Sequence, residues 1–269
     1  MISTPTPHYP VCAISNPGRV RKRNEDRLKV TSYRLSALDP TPAILAVLAD
    51  GIGGHPAGDI AAEMAVNSIT RRIARSLGAD RLKSLVKAAT AASREIYSHG
   101  LKNPTRLGLG TTIACALVVA GRLYTASVGD SRIYLLRGKR ILQLSEDHTW
   151  LREMIDRRLI TPEQAVNHPN QHVIRRYLGS PNPPEVDLRM RLSMTESDYV
   201  SLQNQGMNLA PGDFLLLCSD GLTDLVKDAE ILTTLHKNEM DRGVDKLVEL
   251  ALDRGGVDNI SMILIKVPE

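Results

Sequence analysis

The chain has 269 residues, of which 42% are hydrophobic and 24% are charged, proportions typical of a soluble globular protein with a sizeable core. Its formal net charge is +4, the charges are interspersed, and only 3% of residues are aromatic, so composition predicts no nucleic-acid partner. No apolar run approaches the roughly 18 residues of a membrane span, and the N-terminus lacks the order of a signal peptide. Cys12, Cys115 and Cys218 lie far apart in the sequence. We therefore interpret them as buried thiols in a reducing compartment. We therefore predict a cytoplasmic protein with no membrane partner.

The first charged cluster follows a short apolar strand. Residues 1–10 are rich in Pro and Thr and predict a loose lead-in before the strand Val11 to Ile14. The basic segment Arg19 to Arg23 then runs directly into Asn24-Glu25-Asp26, and Arg27 to Tyr33 predicts a second strand. Two interpretations stay open for the cluster: a solvated group of surface charges, or a site that holds a phosphate and a metal.

The apolar run Ala43 to Ala49 predicts a buried strand that ends on Asp50. The chain then passes through Gly51, Gly53 and Gly54 and resumes with a helix pattern after Gly58. A charge delivered from a buried strand is costly unless a cation neutralises it, and a divalent cation is the usual partner. From this stretch alone, a metal ligand and a simple turn cap are equally good interpretations of Asp50.

Two helix patterns and several short strands follow. The helices Asp59 to Leu77 and Leu82 to about Tyr97 are amphipathic and would cover one face of a sheet. Short β-rich runs joined by tight turns predict an antiparallel meander and exclude a βαβ dinucleotide fold; they are Thr111 to Ala120, Arg122 to Val128, Arg132 to Arg137 and Arg140 to Leu144.

The next third of the chain is mixed. Helices are predicted for Trp150 to Leu159 and from Thr161 onward, and His148 before them is interpreted as a capping or structural residue. Residues 168–184 contain several prolines and predict a loop-rich flap, within a flap subregion of about 145–184. The polar stretch from Asp198 to Leu209 predicts a surface excursion.

The last part of the chain repeats the pattern around Asp50, in which a buried strand ends on Asp-Gly. A buried strand from Asp213 ends on Asp220-Gly221, two helix patterns follow around Ala229–Leu235 and Lys246–Leu252, and Asp258 opens a final strand, Ile260 to Val267. We find no linker and no repeat, so we predict one domain over residues 1–269, with two sheets and flanking helices.

Four aspartates lie at the rim of an apolar strand beside Gly or Asn: Asp50, Asp130, Asp220 and Asp258. If they converge, their mutual repulsion requires cations between them. Oxygen ligands without nearby Cys point to Mg²⁺ or Mn²⁺ rather than Zn²⁺. Two such ions can activate a water for attack on a phosphoryl group, and Arg21 would then supply a bidentate phosphate clamp.

These residues carry a family resemblance. The motifs Arg21-x-x-Asn24-Glu25-Asp26, Asp50-Gly51-Ile52-Gly53-Gly54-His55 and Gly110-Thr111-Thr112 resemble the opening motifs of the metal-dependent PP2C-type protein phosphatases. The series continues in the family's order over nearly the whole chain, with Val128-Gly129-Asp130-Ser131-Arg132, Leu144-Ser145-Glu146-Asp147-His148, Cys218-Ser219-Asp220-Gly221-Leu222 and Asp258-Asn259-Ile260. The short chain resembles the bacterial branch.

The resemblance implies an α+β fold, a four-layer α–β–β–α sandwich with two central antiparallel sheets. It also implies hydrolysis of phosphoserine and phosphothreonine by a metal-activated water, with no phosphoenzyme intermediate. The implied partners are phosphorylated Ser/Thr proteins, including a cognate Ser/Thr kinase that the enzyme opposes in bacterial signalling. We expect a monomer.

The resemblance also implies roles for individual residues. Asp50 would bridge two Mn²⁺ or Mg²⁺ ions, and the Gly51 carbonyl would bind the second. Asp220 and Asp258 would bind the first ion, and Asp26 would bind the second through water, with Glu25 as a helper. Asp130 would bind a third ion that it shares with Asp220. Arg21 would bind the substrate phosphate.

Two departures from the family pattern limit this comparison. Ile52 replaces the usual Met, and eukaryotic relatives have at that position a His proposed as general acid, a role Ile52 cannot fill; we assign no role to His55. The flap usually reads H-P-x-R-N, whereas this chain has His168-Pro169-Asn170-Gln171-His172. For His172 we favour an exposed bystander over a flap acid, and substrate choice stays open.

Two competing functions stay open beside the phosphatase. A signalling module that has lost catalysis should lack a metal aspartate or Arg21, and this chain lacks neither. A carboxylate-metal nuclease is disfavoured by the sparse aromatic residues and the dispersed charge.

Overall fold

The computed structural model describes residues 1–4, 8–52, 57–76, 80–165, 168–193 and 195–269. In chain order its strands are β1 (Ile2–Ser3), β2 (Val11–Asn16), β3 (Arg27–Arg34), β4 (Pro42–Ala49), β5 (Ile113–Val119), β6 (Arg122–Val128), β7 (Arg132–Arg137), β8 (Arg140–Gln143), β9 (Met207–Asn208), β10 (Phe214–Cys218) and β11 (Ile260–Lys266). Its helices are α1 (Gly58–Arg75), α2 (Arg81–Lys102), α3 (Trp150–Asp156), α4 (Pro162–Ala165), α5 (Asp198–Gln203), α6 (Asp220–Thr223), α7 (Asp228–Lys237) and α8 (Met240–Asp253). A short 3-10 turn covers Pro104–Arg106.

The strands form two antiparallel sheets. The first sheet has the order β1-β3-β4-β5-β6-β9, and the second has the order β2-β11-β10-β7-β8. Every named strand pair in both sheets is antiparallel. The predicted α+β fold with two antiparallel sheets is confirmed.

Three apolar layers separate the sheets and helices. In β4, Leu45 and Val47 face α1 and α2, whereas Ile44 and Leu48 face the second sheet. This alternation follows from the two-residue period of a strand and lets one strand contribute to two cores. A third core lies between the second sheet and α7 and α8. The structure is therefore layered helix, sheet, sheet, helix, as the sequence predicted.

The predicted meander is wrong in one respect, because its four strands belong to two sheets. Strand β6 pairs with β5 and β9, whereas β7 pairs with β10 and β8. The turn between Val128 and Arg132 therefore crosses from one sheet to the other, with Gly129 at φ +105°. A tight turn looks the same in sequence whether it closes a hairpin or changes sheets, so the pattern gave no signal of the crossing.

Two further predictions need revision. Residues 1–10 are not simply a loose lead-in, since β1 pairs with the edge of β3 and Tyr9 is buried in the core between the sheets. The stretch from Asp198 to Leu209 lies mostly at the surface, as predicted, but it is regular structure, because it forms α5 and then β9 at a sheet edge. The amide of Gln205 donates to the Thr125 and Leu188 carbonyl oxygens at 2.9 and 2.6 Å, which fastens this stretch to the first sheet. No helix among the described residues is long and apolar enough to cross a membrane.

Candidate metal centre

Two carboxylates lie side by side at one edge of the first sheet. Arg27 pairs with Ala49 where β3 begins and β4 ends, so the residues just outside the pair, Asp26 and Asp50, are neighbours. Asp26 is 2% exposed, and its Oδ2 accepts a hydrogen bond of 2.8 Å from the Ser219 hydroxyl. Ser219 belongs to the other sheet's β10 end, so this bond joins the two sheets at the cluster.

The second sheet brings its carboxylates to the same edge. Cys218 at the end of β10 pairs with Met262 near the start of β11, which places Asp220 and Asp258 close together. Cys218 also pairs with Arg132 at the start of β7, so the turn that carries Asp130 ends at this edge as well. The four strand-rim aspartates singled out by their sequence context therefore lie at one end of the sandwich.

The backbone of Asp50 is fixed by the threonine pair that follows Gly110. The Thr112 amide donates to the Asp50 carbonyl oxygen at 2.8 Å, and the Asp50 amide donates to the Thr112 hydroxyl at 3.1 Å. The Thr111 hydroxyl donates to the same carbonyl oxygen at 2.7 Å. Since Asp50 follows a strand that is buried from Ala43 to Ala49, these bonds leave its carboxylate little freedom to move away from the cluster.

Gly51 lies where two other chain segments come very close. A Cβ at this position would lie 2.4 Å from the carbonyl carbon of Gly58 and 2.8 Å from the carbonyl oxygen of Glu25. Only glycine fits there, because any side chain would overlap backbone atoms. The metal-binding role of the Gly51 carbonyl stays a prediction, and Gly53, Gly54 and His55 of the same motif lie outside the described residues.

The cluster is electrostatically strained without cations. Burial and the charges of Asp26, Asp220, Asp130 and Asp258 raise the pKa of Asp50 well above its ordinary value. Burial is also the main cause that raises the pKa of Asp26 to about 7 and that of Asp220 to about 6, and it raises the pKa of Asp130 well above its ordinary value. Several carboxylates that disfavour one another's ionisation form a ready site for a positive ion.

Unsatisfied oxygen atoms identify where positive charge is needed. Four buried side-chain oxygens among the described residues accept no hydrogen bond, and three of them are Oδ1 of Asp26, Asp130 and Asp220. Buried carboxylate oxygens without partners are rare and costly. A divalent cation with a preference for oxygen ligands, Mg²⁺ or Mn²⁺, fits this set of residues.

Arg21 lies at the rim of the cluster, as the sequence predicted. Its Nη2 is 2.5 Å from Oδ2 of Asp258, and this hydrogen bond raises the pKa of the Arg21 guanidinium. The Arg21 side chain is 46% exposed, so it can turn from Asp258 towards an anion in the cleft. The predicted phosphate contact stays a prediction.

Asn259 holds the arginine loop in place, whereas sequence reasoning included it in the Asp258-Asn259-Ile260 motif and assigned it no role. Its Nδ2 donates to the carbonyl oxygens of Pro17 and Arg23 at 2.9 and 3.0 Å. Its Oδ1 accepts from the Glu25 amide at 2.7 Å. The signal was present in the Asp-Asn pair, but the partners lie more than 230 residues earlier in the chain.

A cleft of about 350 Å³ opens above the cluster. Arg21, Asp50, Asp220 and Asp258 line it, together with His172 of the flap and Asp224, which sequence reasoning did not single out. The interpretation of His172 as an exposed residue agrees with its exposed fraction, 56% for the side chain, and its role stays a prediction.

His148 is structural, as interpreted from the sequence. Its Nδ1 accepts a hydrogen bond of 3.0 Å from the Gly129 amide, and its Nε2 lies 3.0 Å from Oδ2 of Asp187. The side chain is only 4% exposed and does not line the cleft.

Comparison with known proteins gives one consistent result. The family model described as Protein phosphatase 2C matches residues 12–171. The chain is 34% identical over 255 residues to the serine/threonine protein phosphatase PstP of Mycobacterium tuberculosis, covering 95% of this chain but only 44% of that protein. It is also 34% identical over 254 residues to the serine/threonine phosphatase stp of Listeria monocytogenes, covering 93% of this chain and 92% of the relative.

A solved structure of a PstP catalytic domain in complex with two manganese ions superposes with a TM-score of 0.76 at 32% identity, covering 97% of this chain and 99% of that one. The match extends across both sheets and their flanking helices, because almost the whole of each chain is included.

Proposed function

This chain belongs to the protein phosphatase 2C family of metal-dependent serine/threonine protein phosphatases, and we propose that it hydrolyses phosphoserine and phosphothreonine in proteins at the cleft above the carboxylate cluster. The observation that carries the proposal is the group of unpartnered buried oxygens of Asp26, Asp130 and Asp220, next to an arginine that can reach an anion. Cations and a phosphate together would satisfy every charge in this arrangement.

The family resemblance, together with the convergence of these residues at the cluster, suggests which of them bind metal. Asp50 would contact two ions, with Asp220 and Asp258 on one, and the Gly51 carbonyl and, through water, Asp26 on the other. Asp130 and Asp220 would hold a third ion. The relative solved with two manganese ions supports Mn²⁺, with Mg²⁺ as the alternative.

Divalent cations bound at these carboxylates would act as Lewis acids on a phosphoryl group and make a water nucleophilic near neutral pH. The chain's own residues position the substrate. Arg21 would leave Asp258 and bind two phosphate oxygens with its planar fork. Thr111 and Thr112 hold the Asp50 backbone in place, which keeps its carboxylate at the cluster.

This chemistry defines the class of substrates and not an individual substrate. Phosphorylated Ser/Thr proteins are the proposed partners, with a Ser/Thr kinase among them, and residues 1–269 would act as one catalytic domain. The chain spans 44% of the length of mycobacterial PstP, so activity, substrates and partners are proposed for this chain alone.

The test is a phosphate-release assay with a phosphothreonine peptide and a matched phosphotyrosine peptide. With Mn²⁺ we expect release from the first peptide and little from the second, and EDTA should abolish it. Asp220→Asn should lower the rate at least about 100-fold, because the ions lose a ligand that contributes several kcal/mol to the transition state.

Asp253→Asn serves as the control, since Asp253 is 75% exposed and lies outside the cluster. Full activity in EDTA, or an Asp220→Asn variant as active as Asp253→Asn, would refute the proposal. Degradation of plasmid DNA without peptide hydrolysis would favour a nuclease instead.

A further inference from the structure

The flap of this chain carries a histidine into the metal cleft. Nδ1 of His172 lies 3.2 Å from Oδ2 of Asp224. Asp220 is the first residue of α6, and Asp224 is the residue that directly follows the end of this one-turn helix. One ligand atom from each of His172, Asp220 and Asp224 lies within 4.8 Å of the other two. The usual flap pattern has Asn at the position of His172, so the imidazole is a feature of this sequence.

The second ring nitrogen of His172 has a partner suited to a metal-binding histidine. Nε2 lies 2.8 Å from the side-chain amide nitrogen of Gln171. A half-turn of that amide exchanges its NH₂ for its carbonyl oxygen at nearly the same place. Nε2–H would then donate to Gln171, leaving the Nδ1 lone pair free, which is the arrangement that orients histidines on metal ions.

An independent observation points to a cation at this spot. Oδ1 of Asp220, a member of the group, is buried and accepts no hydrogen bond among the described residues. Asp130 is 7% exposed, and its Oδ1 is also buried and unpartnered. A surface ion pair between His172 and Asp224 alone would leave both of these oxygens unsatisfied.

We propose that His172 and Asp224 join Asp220 in binding a divalent ion on the flap side of the centre, and that the imidazole makes this position selective for Mn²⁺ over Mg²⁺. The inference rests on the proposed function, because the other ions of the centre neutralise the neighbouring carboxylates. Mg²⁺ is bound almost entirely by oxygen, whereas first-row transition ions also accept imidazole nitrogen.

The same contact would tie the flap to the metal. The base of the flap is fixed by the Arg175 amide, which donates to the His148 carbonyl oxygen at 2.8 Å, and by a β-bridge between Thr149 and Ile174. His172 lies only two residues beyond this bridge, so an ion on its ring would hold the flap over the cleft.

The test compares three proteins: the unaltered chain, His172→Asn and the control His236→Asn. His172→Asn restores the family's residue, and His236 is an exposed residue of α7 away from the cleft. In crystals saturated with Mn²⁺, anomalous scattering should place an ion within coordination distance of the His172 ring in the unaltered chain and in His236→Asn. That ion should be absent or displaced in His172→Asn.

Calorimetric titration gives a second readout. His172→Asn should weaken one class of Mn²⁺ sites about tenfold or more and leave Mg²⁺ binding unchanged, with no change for His236→Asn. Equal Mn²⁺ isotherms for the unaltered chain and His172→Asn, or an equal loss for both metals, would overturn the inference, as would Mn²⁺ peaks on oxygen ligands only.

Neither the anomalous scattering nor the calorimetric titration depends on catalysis. Peptide hydrolysis without an ion on His172 would refute this inference and leave the proposed function standing. An ion bound to His172 in a protein without phosphatase activity would support this inference and refute the proposed function.

Discussion

Asn259 shows how one buried side chain can position a whole loop at the rim of the cleft. It is 4% exposed, and both ends of its amide bond to the loop that contains Arg21. The neighbouring Gly18 has φ +75°, and a Cβ there would lie 2.2 Å from the Asp258 carbonyl oxygen. The loop therefore packs directly against the backbone of Asp258, and Asn259 holds it there.

We predict that Asn259→Ala acts on substrate binding as well as stability. The Pro17 and Arg23 carbonyl oxygens and the Glu25 amide would lose their partner, at a cost of about 2–4 kcal/mol in the free energy of unfolding. Because Arg21 would lose its fixed starting position, KM for a phosphothreonine peptide should rise about tenfold, with a smaller change in kcat.

Urea unfolding and steady-state kinetics measure the two effects. Asn238→Ala is the control, since Asn238 also bonds a backbone carbonyl, that of Thr234, but lies at the end of α7. If both variants lose stability equally and KM stays at its original value in each, Asn259 has no positioning role.

At the scale of elements, His148 joins the turn of Asp130 to the flap. Its amide donates to the Gly129 carbonyl oxygen at 2.9 Å, its Nδ1 accepts from the Gly129 amide, and its carbonyl accepts from Arg175. A single residue therefore fixes the place where the chain crosses between sheets and the base of the flap.

Asp187 lies behind His148 and stabilises it. Burial raises the pKa of Asp187, but hydrogen bonds from His148 and Arg189 outweigh burial and lower that pKa below its ordinary value. The same segment forms a β-bridge with β6, through Ser127 and Asp187. The ionised carboxylate of Asp187 is therefore the form that holds His148 and Arg189 beside it.

We predict a loss of stability at acid pH that depends on Asp187. A lowered pKa in the folded state means that the unfolded chain binds the proton first, so the contribution is present above the ordinary Asp pKa of about 4 and is lost as pH falls below it. The melting temperature should therefore fall between pH 6 and pH 3.5, and Asp187→Asn should lower it at pH 6 and flatten the dependence.

Melting curves of metal-free protein at these pH values test the prediction. Asp156→Asn is a suitable control, because Asp156 bonds Arg152 at the exposed end of α3. An unaltered acid dependence in Asp187→Asn would show that other carboxylates cause it.

Across the whole molecule, the sequence was informative wherever a local pattern carries the chemistry. Asp50 and Asp220 were found because each ends an apolar strand beside glycine, and the fold brings the two strand ends together. The family and the fold class are confirmed. The roles of individual metal ligands and the monomeric state stay predictions.

What the sequence could not provide depends on long-range packing. His172 and Asp224 meet although 52 residues separate them, and neither has a local pattern that marks a ligand. The crossing at Gly129 was missed because pairing partners of β7 lie in β10, far along the chain. In both cases the decisive contacts join segments that lie far apart in the chain.

The last prediction concerns the whole sandwich, because its two sheets meet at a cluster of carboxylates. In metal-free protein the pKa of Asp26 is raised to about 7 and that of Asp220 to about 6. The folded state then holds protons that the unfolded chain has released, so these groups stabilise the fold at low pH, and the contribution is lost as pH rises through 6 and 7. Each proton held over one pH unit corresponds to about 1.4 kcal/mol.

EDTA-treated protein should therefore melt at a higher temperature at pH 5.5 than at pH 8, and Mn²⁺ should reverse the order. Mn²⁺ replaces the protons, so its stabilising effect should be larger at pH 8, where the unbound carboxylates repel one another most. Asp26→Asn should reduce the pH dependence of the metal-free protein, because it removes one of the buried charges, whereas Asp253→Asn should not. A metal-free melting temperature that rises from pH 5.5 to pH 8, with the same increment from Mn²⁺ at both values, would mean that cations do not relieve repulsion between the two sheets.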